Sequence, residues 1–200
     1  MNKTNEKENK KQNQNQQINR CKWVNLKNDI YVTYHDKEWG VKSFDDDYLF
    51  EMLLLVSFQA GLSWECILNK RKAFKKAFDN FNYKKIAMYD DKKIIELINN
   101  KDIVRNKLKI NAAINNAKIF IEIKKEYGSF SKYIWHFTNG EVIKNMDDEF
   151  KTTSSLSDEV SKDLKKRGMK FVGSTIIYSY LQAIGIIYDH EVNCSLYKEI

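Results

Sequence analysis

"DHEVNC", residues 189–194, sets His190 and Cys194 four positions apart near the end of a 200-residue chain. One turn of helix brings residues four apart to the same side, and thiolate with neutral imidazole is a donor set for zinc. Taken alone, a buried Cys beside a surface His accounts for the pair more simply. The chain, however, holds three Cys and three His in all, and Cys21 and His35 stand together at the other end of its apolar part. A Cys and a His from each end make Cys2His2, a closed tetrahedral set with no position left for water. Such a site is structural. It would tie the two ends of the chain and close a loop of nearly the whole body, where the entropic cost of closure is largest. Spacing alone leaves both readings standing.

Composition sets the frame around that pair. With 42% hydrophobic and 13% aromatic residues the chain can fill one domain core. The formal charge is +7, and residues 1–20, with five Lys/Arg against two Glu, supply +3 of it. The moderately basic remainder is compatible with nucleic acid or another polyanion as partner. Residues 1–20 contain two apolar side chains, Met1 and Ile18, and no aromatic, so they are expected to be a disordered polar tail, with one body over 21–200. That tail has no apolar stretch of signal-peptide type, and the longest apolar run, "MLLLV" at 52–56, is far too short to cross a bilayer. A soluble, cytoplasmic monomer with no membrane partner is expected. Three cysteines do not make a disulfide framework, and in a reducing compartment they serve as metal ligands or core residues.

The hydrophobic spacing is helical almost throughout. Leu49, Met52, Leu53 and Val56 follow the start signal "SFDD", and Ile67, Phe74, Phe78 and Phe81 continue one face behind a Ser63 cap. Ile110, Ile114, Ala117 and Ile121 form a third face that Gly128 ends. Ser129 is placed to cap "FSKYIWHF", Ser157 to cap a helix running to Gly168, and Thr175 precedes the apolar "IIYSYLQAIGII". Only "YVTYH" at 31–35 alternates in the manner of a strand. The fold class expected is all-α, without repeat or flexible linker.

"CKWV" at 21–24, "YVTYHDKEWG" at 31–40, "FQAGLSW" at 58–64, "KKRGMKFVGSTIIYSYLQAIG" at 165–185 and "DHEVNC" itself resemble the 3-methyladenine DNA glycosylase I family, from Cys21 to about Cys194. The resemblance implies a helix-hairpin-helix DNA glycosylase fold in which the end segments 21–40 and 186–200 share one structural zinc ion, held by Cys21, His35, His190 and Cys194. His136 and Cys66 are then ordinary structural residues. It implies hydrolysis of the N-glycosidic bond of 3-methyladenine in alkylated double-stranded DNA, with free 3-methyladenine as product. The lesion must leave the base stack, at a cost of a few kcal/mol. Its cationic ring is favoured by stacked aromatics, by ~0.5–2 kcal/mol per contact. Trp64, Tyr31 and Tyr34 match the family's base pocket, with Trp23 and Trp39 as its wall. In "QAGLSW", Gly61 permits a close backbone approach and Leu62 can enter the gap in the stack. The family's DNA-binding hairpin matches "LINNKDIVRNKLKI" at 97–110, where backbone amides and a helix N-terminus would hold a phosphate. Asp102 stands where such hairpins carry Gly, and Lys101, Arg105, Lys107 and Lys109 can offset its charge. "KKRGMK", with Lys170, is a second candidate contact. Each of these positions also has a plain reading as a core aromatic, a helix connector or a solvated basic face.

One departure stands out. The family's pocket glutamate, three residues before the Gln of "QAGLSW", falls on Val56, which accepts no hydrogen bond. A buried donor left without its acceptor costs ~1–3 kcal/mol. Gln59, one turn on, can offer a neutral carbonyl, whereas Glu51 lies on another side of the helix. The resemblance thus assigns the catalytic positions to Val56 and Tyr34 and the substrate-binding ones to Tyr31, Tyr34, Trp64, Gln59, Trp23 and Trp39. The activity expected is weakened or absent. No aspartate is assignable as catalytic from spacing and no lysine is placed for Schiff-base chemistry, so an active enzyme would be monofunctional, with water as nucleophile. A zinc-stabilised protein that binds alkylated DNA or free 3-methyladenine without excision is the competing reading. A helix-turn-helix-like regulator makes poor use of so many clustered aromatics.

Overall fold

A computed structural model describes residues 18–145 and 151–197. Residues 1–17, most of the expected tail, and the last three residues lie outside the described residues. The described residues are all-α in architecture: helices α1 (Asp29–Lys37), α2 (Asp46–Gln59), α3 (Trp64–Asn69), α4 (Arg71–Ala77), α5 (Tyr83–Ile86), α6 (Asp91–Asn99), α7 (Lys107–Tyr127), α8 (Phe130–His136), α9 (Ser155–Lys166) and α10 (Ser174–Ala183), with a 3-10 turn at Asp79–Phe81. A two-residue parallel pairing of β1 (Ile143–Lys144) with β2 (Ile187–Tyr188) is the one piece of sheet among them, too short to leave a trace in the alternation of the sequence.

Helix α2 is the core. It buries every residue from Met52 to Phe58, and an element apolar all round has to be central. Phe120 of α7 meets Phe50 edge-on at 5.0 Å, and the Tyr180 hydroxyl of α10 donates to the Leu49 carbonyl at 3.0 Å. Helix α7, 21 residues and roughly 30 Å long, spans the body and ends at Gly128 with φ 84°, as expected. Gly185 is required for a different reason. A Cβ there would lie 2.4 Å from the Val41 carbonyl carbon, so the end of α10 packs directly on the backbone of residues 41–42.

Four local expectations are corrected. "YVTYH" is helix, because Asn28 caps it through bonds from the Ile30 and Tyr31 amides, and Tyr31, Tyr34 and His35 then share one buried face. The run from Ile67 to Phe81 is broken into α3, α4 and the 3-10 turn, first at Lys70 and then where Asp79, Asn80 and Phe81 take positive φ, although all four predicted apolar side chains are buried. Helix α9 begins three residues earlier than expected, at a reciprocal capping box in which Ser154 is the cap and Ser157 its return partner. Helix α10 starts at Ser174, ahead of Thr175, with Gly173 as a cap that offers no side chain. The caps at Ser63 and Ser129 are as expected.

Candidate functional site

The two ends of the described chain are sewn together by backbone amides of both segments. The Ser195 amide donates to the Asn19 carbonyl at 2.8 Å, the Asn19 amide to Ser195 Oγ at 3.0 Å, and the Lys22 amide to a Glu191 carboxylate oxygen at 2.8 Å. Asn19 and Arg20 therefore contact the body, and Arg20 grips Asp36 through Nε and Nη2.

Between these end segments the donor atoms of Cys21, His35, His190 and Cys194 converge to within 4.8 Å of one another, all four residues buried. Cys21 Sγ lies 3.6 Å from His190 Nδ1, and Cys194 Sγ lies 3.6 Å from both His190 Nδ1 and His35 Nε2. Asp36 accepts from His35 Nδ1 at 2.8 Å, which leaves Nε2 as the lone-pair nitrogen facing the sulfurs. Burial, with His35 adding to it, pushes His190 down to about 4, so its ring stays neutral and able to ligate at physiological pH. Burial raises the Cys21 thiol to about 12. Only a bound cation reverses that preference and draws out the thiolate. Both cysteines are free of disulfide. The donor set can hold a metal ion.

The clasp is continuous with an aromatic slot. Trp39 packs on both histidines, its ring centre 4.7 Å from that of His190, and Trp23 meets Tyr31, His35 and Trp39 edge-on. Trp23, Tyr31 and Trp39, with Tyr34 and Trp64, line a cavity of about 150 Å3, at least ten times what one water needs. Helix α2 contributes Val56 and Gln59 to the same cavity, and α10 contributes Ser179 and Gln182. Tyr34 and Trp64 are tilted against each other at 5.3 Å. Two buried polar atoms in this lining have no partner: Gln59 Oε1 and Trp64 Nε1, one acceptor and one donor. Burial holds Tyr31 and Tyr34 above the usual phenol range, so both are neutral hydroxyls and the lining carries no ionised side chain. Charge lies behind it, where Arg71 bridges Glu38 at 2.7 Å and Glu51 at 2.6 Å. Glu51 thus faces away from the cavity, as its position on the helix predicts.

All six predicted substrate-binding residues and Val56 come together in this one cavity. Ser179 and Gln182 were not foreseen. Ser179 lies between the apolar positions 177 and 180 of α10 and Gln182 between 181 and 184, and polar residues there read in a sequence as solvent-facing.

The predicted DNA contacts fall in three places. Gly61, with φ 77°, and Leu62 are exposed at the turn between α2 and α3. Lys101, Arg105 and Lys107 are exposed around the α6–α7 connection, where Asn106 caps α7 and the Asp102 carbonyl accepts from Lys70 Nζ at 3.1 Å. Asp102 does not take positive φ, so the connection follows a path that needs no glycine there. Lys170 is exposed, its backbone held at both ends by the Asn116 amide. Lys109 is a correction. It is 6% exposed, and its Nζ donates to the carbonyls of Phe58 at 2.8 Å and Ala60 at 2.6 Å, capping α2 from within. Its place on the inward side of α7 takes it out of any basic face. Cys66 is half-buried in α3, and His136 bonds the Tyr133 carbonyl and stacks on Tyr127.

Fold and cavity together define an all-α protein that can receive a flat ring ligand beside a clasp of four donors able to hold a metal ion. Comparison with known proteins supplies the family. The methyladenine glycosylase family model matches residues 23–198, and the chain belongs to that family. DNA-3-methyladenine glycosylase 1 of Escherichia coli (strain K12) is 39% identical over 183 residues, 90% of this chain and 97% of that protein. A crystal structure of 3-methyladenine DNA glycosylase I is similar at TM-score 0.86 and 38% identity, covering 90% of this chain and 100% of that one. The 3-methyladenine DNA glycosylase I of Staphylococcus aureus, whose structure addresses 3-methyladenine recognition, is similar at TM-score 0.83 and 34% identity, covering 88% of this chain and 95% of that one. No helix among the described residues is long and apolar enough to cross a membrane.

Proposed function

We propose that the chain is a monofunctional DNA glycosylase that hydrolyses the N-glycosidic bond of 3-methyladenine in alkylated double-stranded DNA and releases the free base. The observation that carries the reading is the aromatic cavity with two unmatched buried polar atoms in its lining, Gln59 Oε1 and Trp64 Nε1. Buried polar atoms without partners are costly, and a purine edge supplies the N–H that Gln59 Oε1 lacks. Methylation at N3 makes the adenine a cation, which the faces of Trp64, Tyr31 and Tyr34 attract. The base then departs neutral, so the protein need not protonate it, and a cavity without an ionised acid is adequate to the step. Extrusion of the base is aided by Leu62 at the exposed α2–α3 turn. The α6–α7 connection serves as the helix-hairpin-helix element, with Lys101, Arg105, Lys107 and Lys170 along the phosphates. Zinc is the ion read into the four-donor clasp, on the grounds of two thiols and two imidazoles with no fifth donor among the described residues. When bound it supplies structural cross-linking alone. The protein acts as a monomer in the cytoplasm.

Single-turnover incubation with methylated duplex DNA tests the assignment: free 3-methyladenine appears above the buffer rate, and Trp64→Ala abolishes the excess. Val56 favours a second reading, lesion binding without excision, because the cavity has no carboxylate at that position. Retention of methylated DNA at saturating protein with no base released would establish it in place of the first.

A further inference from the structure

The lining holds no ionised group, yet a carboxylate stands one bond-length of hydrogen bonding behind it. Asp189 accepts from Gln182 Nε2 at 2.6 Å, from the Tyr178 hydroxyl at 3.1 Å and from Asn145 Nδ2 at 2.9 Å. A carboxylate flanked by three donors is an acceptor only, so Gln182 has to turn its NH2 toward it. That settles which end of the amide faces Asp189, and it leaves the carbonyl oxygen as the polar end that Gln182 brings to the cavity it lines. An amide whose N–H groups are held by an anion is polarised toward its oxygen, which becomes a stronger acceptor. Asp189 is itself anchored. It follows β2 and precedes His190 of the clasp, while Asn145 follows β1, so both pairing strands and the clasp hold the carboxylate in place.

We propose that Gln182 is a base-recognition residue whose carbonyl takes an N–H of the extruded purine, and that Asp189 is its positioning residue, relaying negative charge into a cavity that has none of its own. The inference rests on the reading of the cavity as a purine site. It gives the protein a substitute for an acceptor at position 56, built from α10 and the clasp loop.

The test is a titration of intrinsic tryptophan fluorescence of the full chain with free 3-methyladenine, with metal content and circular dichroism as checks on the fold. Gln182→Met keeps the length and removes the carbonyl, and it weakens binding about tenfold. Asp189→Asn keeps the shape and removes the charge, and it weakens binding several-fold. The double variant Gln182→Glu with Asp189→Asn reverses the pair, so that the new amide donates outward and a carboxylate faces the base. It restores binding to the wild-type level or beyond, a rescue that a merely structural role would not produce. Binding by Gln182→Met within twofold of wild type overturns the relay, and so does a folded double variant that binds no better than Gln182→Met. A wild-type chain that does not bind the base at all removes the purine site and the relay with it, whereas base binding without excision leaves the relay intact and counts against the enzymatic reading.

Discussion

At the scale of single residues, the cavity sets ring faces and neutral dipoles where the family resemblance places a carboxylate. Val56 is 1% exposed and lies on the cavity wall beside Gln59, so its side chain is within reach of a bound ring. Val56→Glu therefore puts an anion into a site read as cation-binding. It raises the single-turnover release of 3-methyladenine by about tenfold or more, the worth of one buried acceptor. The same change lowers the melting temperature, because a carboxylate replaces an isopropyl group in the core whenever no base is bound. A folded variant with an unchanged release rate would show that position 56 does not meet the base. The cavity aromatics were legible in the sequence because "YVTYHDKEWG" and "QAGLSW" carry a family pattern. Gln182 and Ser179 were not, because a glutamine and a serine on a helix have nothing in their spacing to separate a cavity wall from a solvated face. What assigns Gln182 is its partner Asp189, and that contact exists only in three dimensions.

At the scale of elements, local signals placed the helices well and their joints poorly. Apolar spacing located α2, α7 and α10, since burying one stripe of each dominates the energetics, at ~1.5–3 kcal/mol per fully buried large side chain. It could not show that the Ile67–Phe81 face is three short pieces, because the same residues are buried whether or not the backbone kinks at Asn80. Nor could it separate Ser154 from Ser157 as a cap, two serines one turn apart. Lys109 shows the limit most clearly, for a lysine in a basic run reads as surface until the carbonyls it serves are located. Its ammonium joins α7 to the C-terminal end of α2, just before the α2–α3 turn, and burial lowers its pKa without removing that bond. Lys109→Met leaves the Phe58 and Ala60 carbonyls without this donor, at roughly 1–3 kcal/mol. At about 2–4 °C per kcal/mol for a protein of this size, the melting temperature falls by several degrees. An unchanged melting curve would mean that water replaces the ammonium at no cost and that the turn does not depend on it.

At the scale of the whole molecule, the ends and the cavity form one structure. Cys21 and His190 are 169 residues apart in sequence and 3.6 Å apart in space, and Trp39 stands between the clasp and the cavity, in contact with both. The closing of so long a loop removes more freedom from the unfolded chain than any local contact does. By the loop-entropy estimate used for cross-links, a tie at that separation is worth roughly 5 kcal/mol. If the clasp holds the proposed zinc, its removal by a strong chelator should therefore lower the melting temperature by 10 °C or more, at about 2–4 °C per kcal/mol, and Cys194→Ala should melt as the stripped protein does. The two hydrogen bonds between Asn19 and Ser195 are too few to replace such an ion, so the stripped chain also exposes its end segments to protease. Its affinity for free 3-methyladenine falls in parallel, since Trp39 and Asp189 take their positions from His190 and its loop. A purified chain with no stoichiometric metal, or one that melts and binds the base identically after chelation, would leave the convergence of the four donors without a role in either stability or recognition.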